Sequence, residues 1–129
     1  MMYKKNDLIE LDKIGISSAT NAIGILYCDG EIVPKDEQKK MEYYRKAAKQ
    51  GFRWGYSNIA DISTNEQEKQ ENYLKSFYLL KRLADHGWNY ETGEAMEPRR
   101  KVVQYLENGL GITKNPTKSN KLKIKYAIS

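Results

Sequence analysis

Glycines stand at Gly15, Gly51 and Gly87, each 36 residues after the last. Each follows a run whose apolar residues recur at helical spacing: Leu8 and Leu11; Met41, Tyr44, Ala47 and Ala48; Phe77, Leu80, Leu83 and Ala84. Steps of three, four and seven residues put these groups on one helix face. A glycine just beyond such a run suits the left-handed residue that ends a helix, because it lacks the Cβ that makes this conformation costly. Lys46, Lys49 and Arg82 fall in the last turns, where a cation meets the negative end of the helix dipole. A fixed period of this kind marks stacked supersecondary units, none of which can bury its own apolar stripe alone.

The stretch after each glycine is helical again. "ATNAIGILY" sets Ala19, Ile23 and Tyr27 on one stripe, and "GYSNIADIS" sets Gly55, Ile59 and Ser63 at the same offsets. Gly24 and Ala60 are equivalent small residues that let neighbouring helices come close. Between the first two helices of the clearest copy lies "DGEIVPKDE", in which Gly30 and Pro34 break the chain and Asp36 is placed to cap a helix beginning at Glu37. In the second copy the corresponding loop is read as the long polar "STNEQEKQEN". A third copy is weaker: Gly109 and Ile112 align with Gly30 and Val33 at an offset of 79, with the surplus residues lying before Pro98. The segment from Pro98 to Asn108 reads as its first helix. The final "KLKIKYAIS" alternates like a strand, while the repeat register asks for a helix, and the register is preferred. The expected layout is one domain over 1–129: a capping helix at 6–15, repeats at 16–51 and 52–87, and a degenerate repeat with an insertion at 88–127.

The residues Ala19, Ile23, Gly24, Tyr27, Gly30, Val33, Tyr43, Tyr44, Lys46, Ala47, Ala48 and Gly51 resemble the Sel1-like repeat family, a relative of the tetratricopeptide repeats. The family pattern is A-x-x-x-L-G-x-x-Y, then a G-x-G-V loop, then Y-Y-x-K-A-A-x-x-G. One copy is nearly complete; the second keeps Ala84 and Gly87, and the third keeps Gly109, Gly111 and Ile112. The resemblance implies an all-α fold: a short right-handed α/α superhelix of antiparallel helix pairs, a Sel1 or tetratricopeptide-like solenoid. With two and a half to three copies, near the minimum for such a stack, modest stability is expected.

Composition narrows the function. The net charge of +5 is carried by the end of the chain: Lys114, Lys118, Lys121, Lys123 and Lys125 follow Glu107 with no acid among them, while the preceding part is balanced at 17 of each sign. Such a segment could draw an acidic partner or a phosphate backbone, although a solvated lysine-rich helix explains it as well. No apolar run approaches the roughly 20 residues that span a bilayer. "MMYKKNDLIELDK" lacks the apolar core of a secretory signal, so a cytoplasmic protein is expected. Cys28, the single cysteine, excludes an intramolecular disulfide and a cysteine-based metal site.

No constellation for catalysis is evident. His86, the one histidine, occupies a helix-end slot equivalent to Gln50; Asp36 and Glu37 read as a cap and a first-turn charge; and the Gly109–Gly111 pair belongs to the repeat. No enzyme, cofactor, metal or small-molecule substrate is expected. Tyr27, Tyr44, Phe52, Phe77 and Trp88 fall on core positions, whereas Trp54, Tyr56 and Tyr90 lie just past the turn glycines and are candidate anchors for a partner. Asn21, Ile25, Asn58 and Asp61 join them, because first-helix residues line the inner face that the resemblance implies. The expected function is protein–protein interaction. Its concrete form, by analogy with small members of the family, is an immunity-type protein that neutralises a cognate secreted toxin. An adaptor in a signalling or envelope complex is the second expectation, and nucleic-acid binding through the lysines is the least favoured.

Overall fold

The structure, a computed structural model, describes residues 5–86 and 96–128. Among these residues there are seven helices and no strand: α1 (Lys5–Lys13), α2 (Ser17–Asp29), α3 (Glu37–Lys49), α4 (Gly55–Ile62), α5 (Glu66–His86), α6 (Met96–Asn108) and α7 (Pro116–Lys125). The chain divides into two compact units, Met1–Ile59 and Ala60–Ser129, with the division inside α4. The all-α architecture that the resemblance implies is the one observed among the described residues.

In the first unit α2 packs against both α1 and α3. The corner glycines behave as the period demands. Gly15 has φ +87°, its N–H donates to the Asp12 carbonyl (2.9 Å), and the Ile16 N–H donates to the Leu11 carbonyl (3.0 Å). Gly51 repeats this with φ +90°, donating to Ala48 (3.0 Å), while Phe52 donates to Ala47 (3.0 Å). Both are Schellman closures, in which two backbone donors past the helix end satisfy carbonyls of its last turn. Gly87, the third of the series, lies outside the described residues, as do Trp88 and Tyr90.

Asp36 caps α3 as the sequence implies, its carboxylate accepting from the Lys39 N–H at 3.0 Å. Leu8, Ala19 and Ile23 form the centre of the unit's core, with Ile9, Leu11, Leu26, Tyr27 and Tyr43 against it. Gly24 is buried because the Tyr44 ring lies where its side chain would be, 2.6 Å from an added Cβ. Gly55 likewise faces the Ala48 backbone at 2.6 Å. A knot of polar side chains ties the three helices: the Thr20 hydroxyl meets Asp12 (2.5 Å) and Gln50 (3.0 Å), and Lys46 reaches Asp12 at 2.9 Å. Burial tends to raise the Asp12 pKa, but the hydrogen bonds from Thr20 and Lys46 outweigh it and hold the carboxyl below its ordinary value.

In the second unit α6 packs against α5 and α7 around Phe77, Leu80, Val102 and Leu106. The polar "STNEQEKQEN", expected to be a loop, is mostly helix; only Ser63, Thr64 and Asn65 connect α4 to α5. The Asn65 side chain caps α5 by accepting from the Glu68 N–H (2.9 Å), and Gln70 and Gln67 donate to Glu66 (3.0 Å) and Glu71 (3.1 Å) one turn away. Local capping and i,i+4 pairing thus extend the helix by about two turns without any apolar stripe. The extension has a packing role as well. The Gln70 side chain accepts from the Gly111 N–H at 2.7 Å, and a Cβ on Gly111 would sit 2.3 Å from the Leu74 nitrogen.

The loop before α7 repeats the loop before α3 at the offset of 79 read from the sequence. Gly109 (φ +70°) matches Gly30 (φ +72°), and the Asn115 N–H donates to Leu106 (2.9 Å) as that of Asp36 does to Tyr27 (3.1 Å). Asn115 then caps α7 at Lys118, as Asp36 caps α3 at Lys39. The last segment is helix, not strand. Leu122 and Tyr126 are buried and Ile124 is exposed, a helical pattern that happens to coincide with alternation over a few residues. α7 ends in the same corner as α1 and α3, but with Ala127 at φ +55° in place of glycine.

Candidate partner-binding surface

Of the expected surface residues, Asn21 and Asn58 are brought together. Asn21 lies on α2 and is only 6% exposed; the Asn58 side-chain amide, on α4, donates to its carbonyl oxygen at 3.0 Å. One turn beyond Asn21 on α2, Ile25 is 42% exposed. One turn before Asn58, Trp54 is half-buried, and its carbonyl accepts from the Asn58 N–H (2.9 Å) and the Ser57 hydroxyl (2.9 Å). Tyr56 is half-buried on the same helix. Asn21 is therefore buried, while Ile25 is exposed and Trp54 and Asn58 are half-buried. Asp61 belongs to the second unit, where it is exposed and accepts from the Tyr73 hydroxyl at 2.7 Å. Burial, then that hydrogen bond, raises the Tyr73 pKa well above its usual value. Tyr90 lies outside the described residues.

A second feature of the first unit was not singled out from the sequence as a site. The Tyr27 and Tyr43 rings stack with centroids 5.8 Å apart and planes 15° from parallel, and the Lys39 ammonium lies 5.3 Å from the Tyr27 centroid. With Glu42 and Lys46 they line an open groove of about 240 Å³. Lys39, Glu42, Tyr43 and Lys46 follow helical steps along one face of α3, a spacing visible in the sequence once Tyr43 is taken as a surface aromatic.

In the second unit Asp85 gathers groups from two helices. It accepts from the Tyr126 hydroxyl at 2.7 Å, pairs with Lys81, and has Lys125 at 3.4 Å; Arg99 lies 4.9 Å from the Tyr126 ring centroid and donates to the Ala84 carbonyl. Burial opposes ionisation, but these donors overcome it and hold the Asp85 pKa at about 2. Lys123 pairs with Glu107 at 2.5 Å. Two of the five C-terminal lysines are thus engaged inside the unit, leaving Lys114, Lys118 and Lys121 exposed among the cations considered for nucleic acid. Cys28 is a half-buried free thiol and His86 is the exposed last residue of α5. Among the described residues no group of three or more His, Cys, Asp or Glu side chains is gathered to hold a metal, and no helix is long and apolar enough to cross a membrane.

Comparison with known proteins accords with this architecture. The Sel1 repeat model matches residues 17–52, 66–88 and 104–122. A solved Sel1 repeat protein from Oxalobacter formigenes superposes with a TM-score of 0.63 at 21% identity, over 94% of this chain and 86% of its own. A protective antigen of uropathogenic Escherichia coli with an SLR fold gives a TM-score of 0.48 at 22% identity, over 93% of this chain and 32% of its own. No curated protein matches. With three matched segments that together span more than half of its length, the chain belongs to the Sel1 repeat family.

Proposed function

We propose that this protein is a non-catalytic binding module and, in concrete form, an immunity-type inhibitor that seizes one cognate secreted toxin in the cytoplasm. Sel1 repeat proteins generally mediate protein–protein interactions, and the family is typically a non-catalytic scaffold. The observation that carries the reading here is the use of apolar and aromatic surface on the first unit. Ile25 is 42% exposed, and half-buried Trp54 and the stacked Tyr27–Tyr43 pair, besides packing inward, keep part of their ring area at the surface. Large side chains with few rotatable bonds are the groups that dominate binding energy in protein interfaces.

The test is neutralisation. Candidate secreted effectors, beginning with any effector reading frame found beside this chain's gene, are each expressed alone and then together with it. The reading expects growth arrest in the first case, rescue in the second, and a one-to-one complex of nanomolar affinity. Several partners of micromolar affinity would move the function to an adaptor. Neither complex nor rescue would overturn the inhibitor reading.

A further inference from the structure

We propose that the groove lined by Tyr27 and Tyr43 seats one acidic side chain of the bound protein together with an aromatic residue beside it, the carboxylate meeting Lys39 and the ring lying on the tyrosine pair. The inference rests on the protein-binding reading above and specifies the partner's chemistry at one place.

The floor of the groove is aromatic. The Tyr27 and Tyr43 rings, 5.8 Å apart and 15° from parallel, pack inward on Leu8, Ala19 and Ile23 and line the opening of about 240 Å³ with the rest of their surface. Offset, nearly parallel rings suit a third ring laid over them. The rim is charged, and its charges are held apart. Lys39 and Glu42 stand three residues apart on α3, yet among the described residues no ion pair joins them, whereas Glu37 and Lys40 pair at the same spacing. The order of the charges differs: the acid comes first in the pair that forms, and the lysine comes first in the pair that does not, the less favourable arrangement on a helix. Lys39 lies instead over the Tyr27 ring, 5.3 Å from its centroid. That attraction is weak at an exposed position and leaves the ammonium donors without an acceptor among the described residues. Lys46, the other cation of the lining, is already held by Asp12 at 2.9 Å.

Charge decides the occupant. α3 carries five cations against two acids, Glu37 and Glu42, and Glu37 is taken by Lys40. The helix face therefore attracts a carboxylate and repels lysine or arginine. Glu42 limits the number, because a second carboxylate beside the one on Lys39 would face it across the rim. The complement is one acid next to an aromatic ring, not an acidic run.

The experiment titrates the whole protein, its tyrosine rings 13C-labelled, with the acetylated, amidated tripeptides Glu-Phe-Ser, Lys-Phe-Ser and Glu-Ala-Ser. The expected result is a saturable upfield movement of the Tyr27 and Tyr43 ring signals with Glu-Phe-Ser, in the millimolar range and weakening as salt is raised. The other two peptides should bind about tenfold more weakly. Lys39→Glu, at an exposed position, should leave Tm nearly unchanged and reverse the order of the glutamate and lysine peptides. Tyr43→Leu keeps an inward apolar contact but removes the ring, and should abolish the advantage of Glu-Phe-Ser over Glu-Ala-Ser. If Tyr43→Leu does not fold, Lys39→Glu carries the test. An equal or stronger wild-type response to the lysine peptide, an unchanged order in Lys39→Glu, or no movement of the two rings with any peptide would overturn the proposal. A wild-type dimer broken by Lys39→Glu would also overturn it, by making a second copy of this chain the occupant. Its failure is separable from that of the inhibitor reading. If Lys39→Glu neutralises its effector as tightly as the wild type does, the groove is wrong and the function stands; if the peptides bind and reverse as expected but no effector is neutralised, the opposite holds.

Discussion

The corner that ends α1, α3 and α7 offers one perturbation with two opposite signs. At Gly51 the backbone has φ +90°, and an added Cβ would meet nothing within 4 Å. Gly51→Ala therefore introduces no clash, and its whole effect is conformational. An L-residue in the left-handed region costs about 1–2 kcal/mol. The same substitution stiffens the unfolded chain, which returns about 0.4–1 kcal/mol. The net is a loss of about 1 kcal/mol. For a chain of 129 residues, an unfolding entropy of about 2.1 cal/mol/K per residue converts this to a Tm lower by about 4 °C. Ala127 occupies the matching place after α7 at φ +55°, so Ala127→Gly should gain up to about 1 kcal/mol by the same reasoning run backwards. Gly51→Asn should fall between, since asparagine tolerates this region. Thermal unfolding followed by circular dichroism at 222 nm, with urea titration as a check, reads all three. A neutral or stabilising Gly51→Ala would refute the claim that the left-handed corner after α3 favours glycine.

Gly111→Ala should be far more damaging than Gly51→Ala, by about 3 kcal/mol or more in urea unfolding, because its Cβ would overlap the α5 backbone at 2.3 Å as well as strain φ. Asn65→Ala removes the cap of α5 and should cost about 1 kcal/mol, with loss of amide protection confined to the first turns of that helix in hydrogen exchange. The depressed Asp85 pKa stabilises the fold above the unfolded value near 3.8 and ceases to do so as pH falls through about 2. Acid titration of the wild type should thus show a loss of about 2 kcal/mol between pH 4 and pH 2 that is much reduced in Asp85→Asn. Leu80→Ala, at a fully buried site, should cost about 2–5 kcal/mol by the same unfolding assay.

The helix order, the corner glycines at Gly15 and Gly51, the Asp36 cap and the match between Gly109 and Gly30 were legible because each is written locally, in spacing and in residues with particular backbone freedom. The start of α5 reads as a loop in the sequence because that polar stretch carries no apolar periodicity. Asn65 followed by Glu68 is a capping pattern, and the Glu and Gln residues around it support a helix with no stripe at all. The candidate surface was partly legible. Asn21 and Asn58 could be named from their repeat positions, but that they meet, and that Asn21 is buried, depends on how α2 and α4 pack. The Tyr27–Tyr43 groove escaped because both tyrosines fit the repeat pattern, which says nothing about which ring edges remain open. Asp85 and Tyr126, 41 residues apart, are joined only by the fold.

The most direct test of the account is hydrogen–deuterium exchange on the whole chain, alone and bound to whichever secreted effector it neutralises in the growth assay. The account predicts that the partner slows exchange in α2 and at 55–59, with no turnover of either protein. Protection confined to α7 and its exposed lysines, with α2 unchanged, would contradict it.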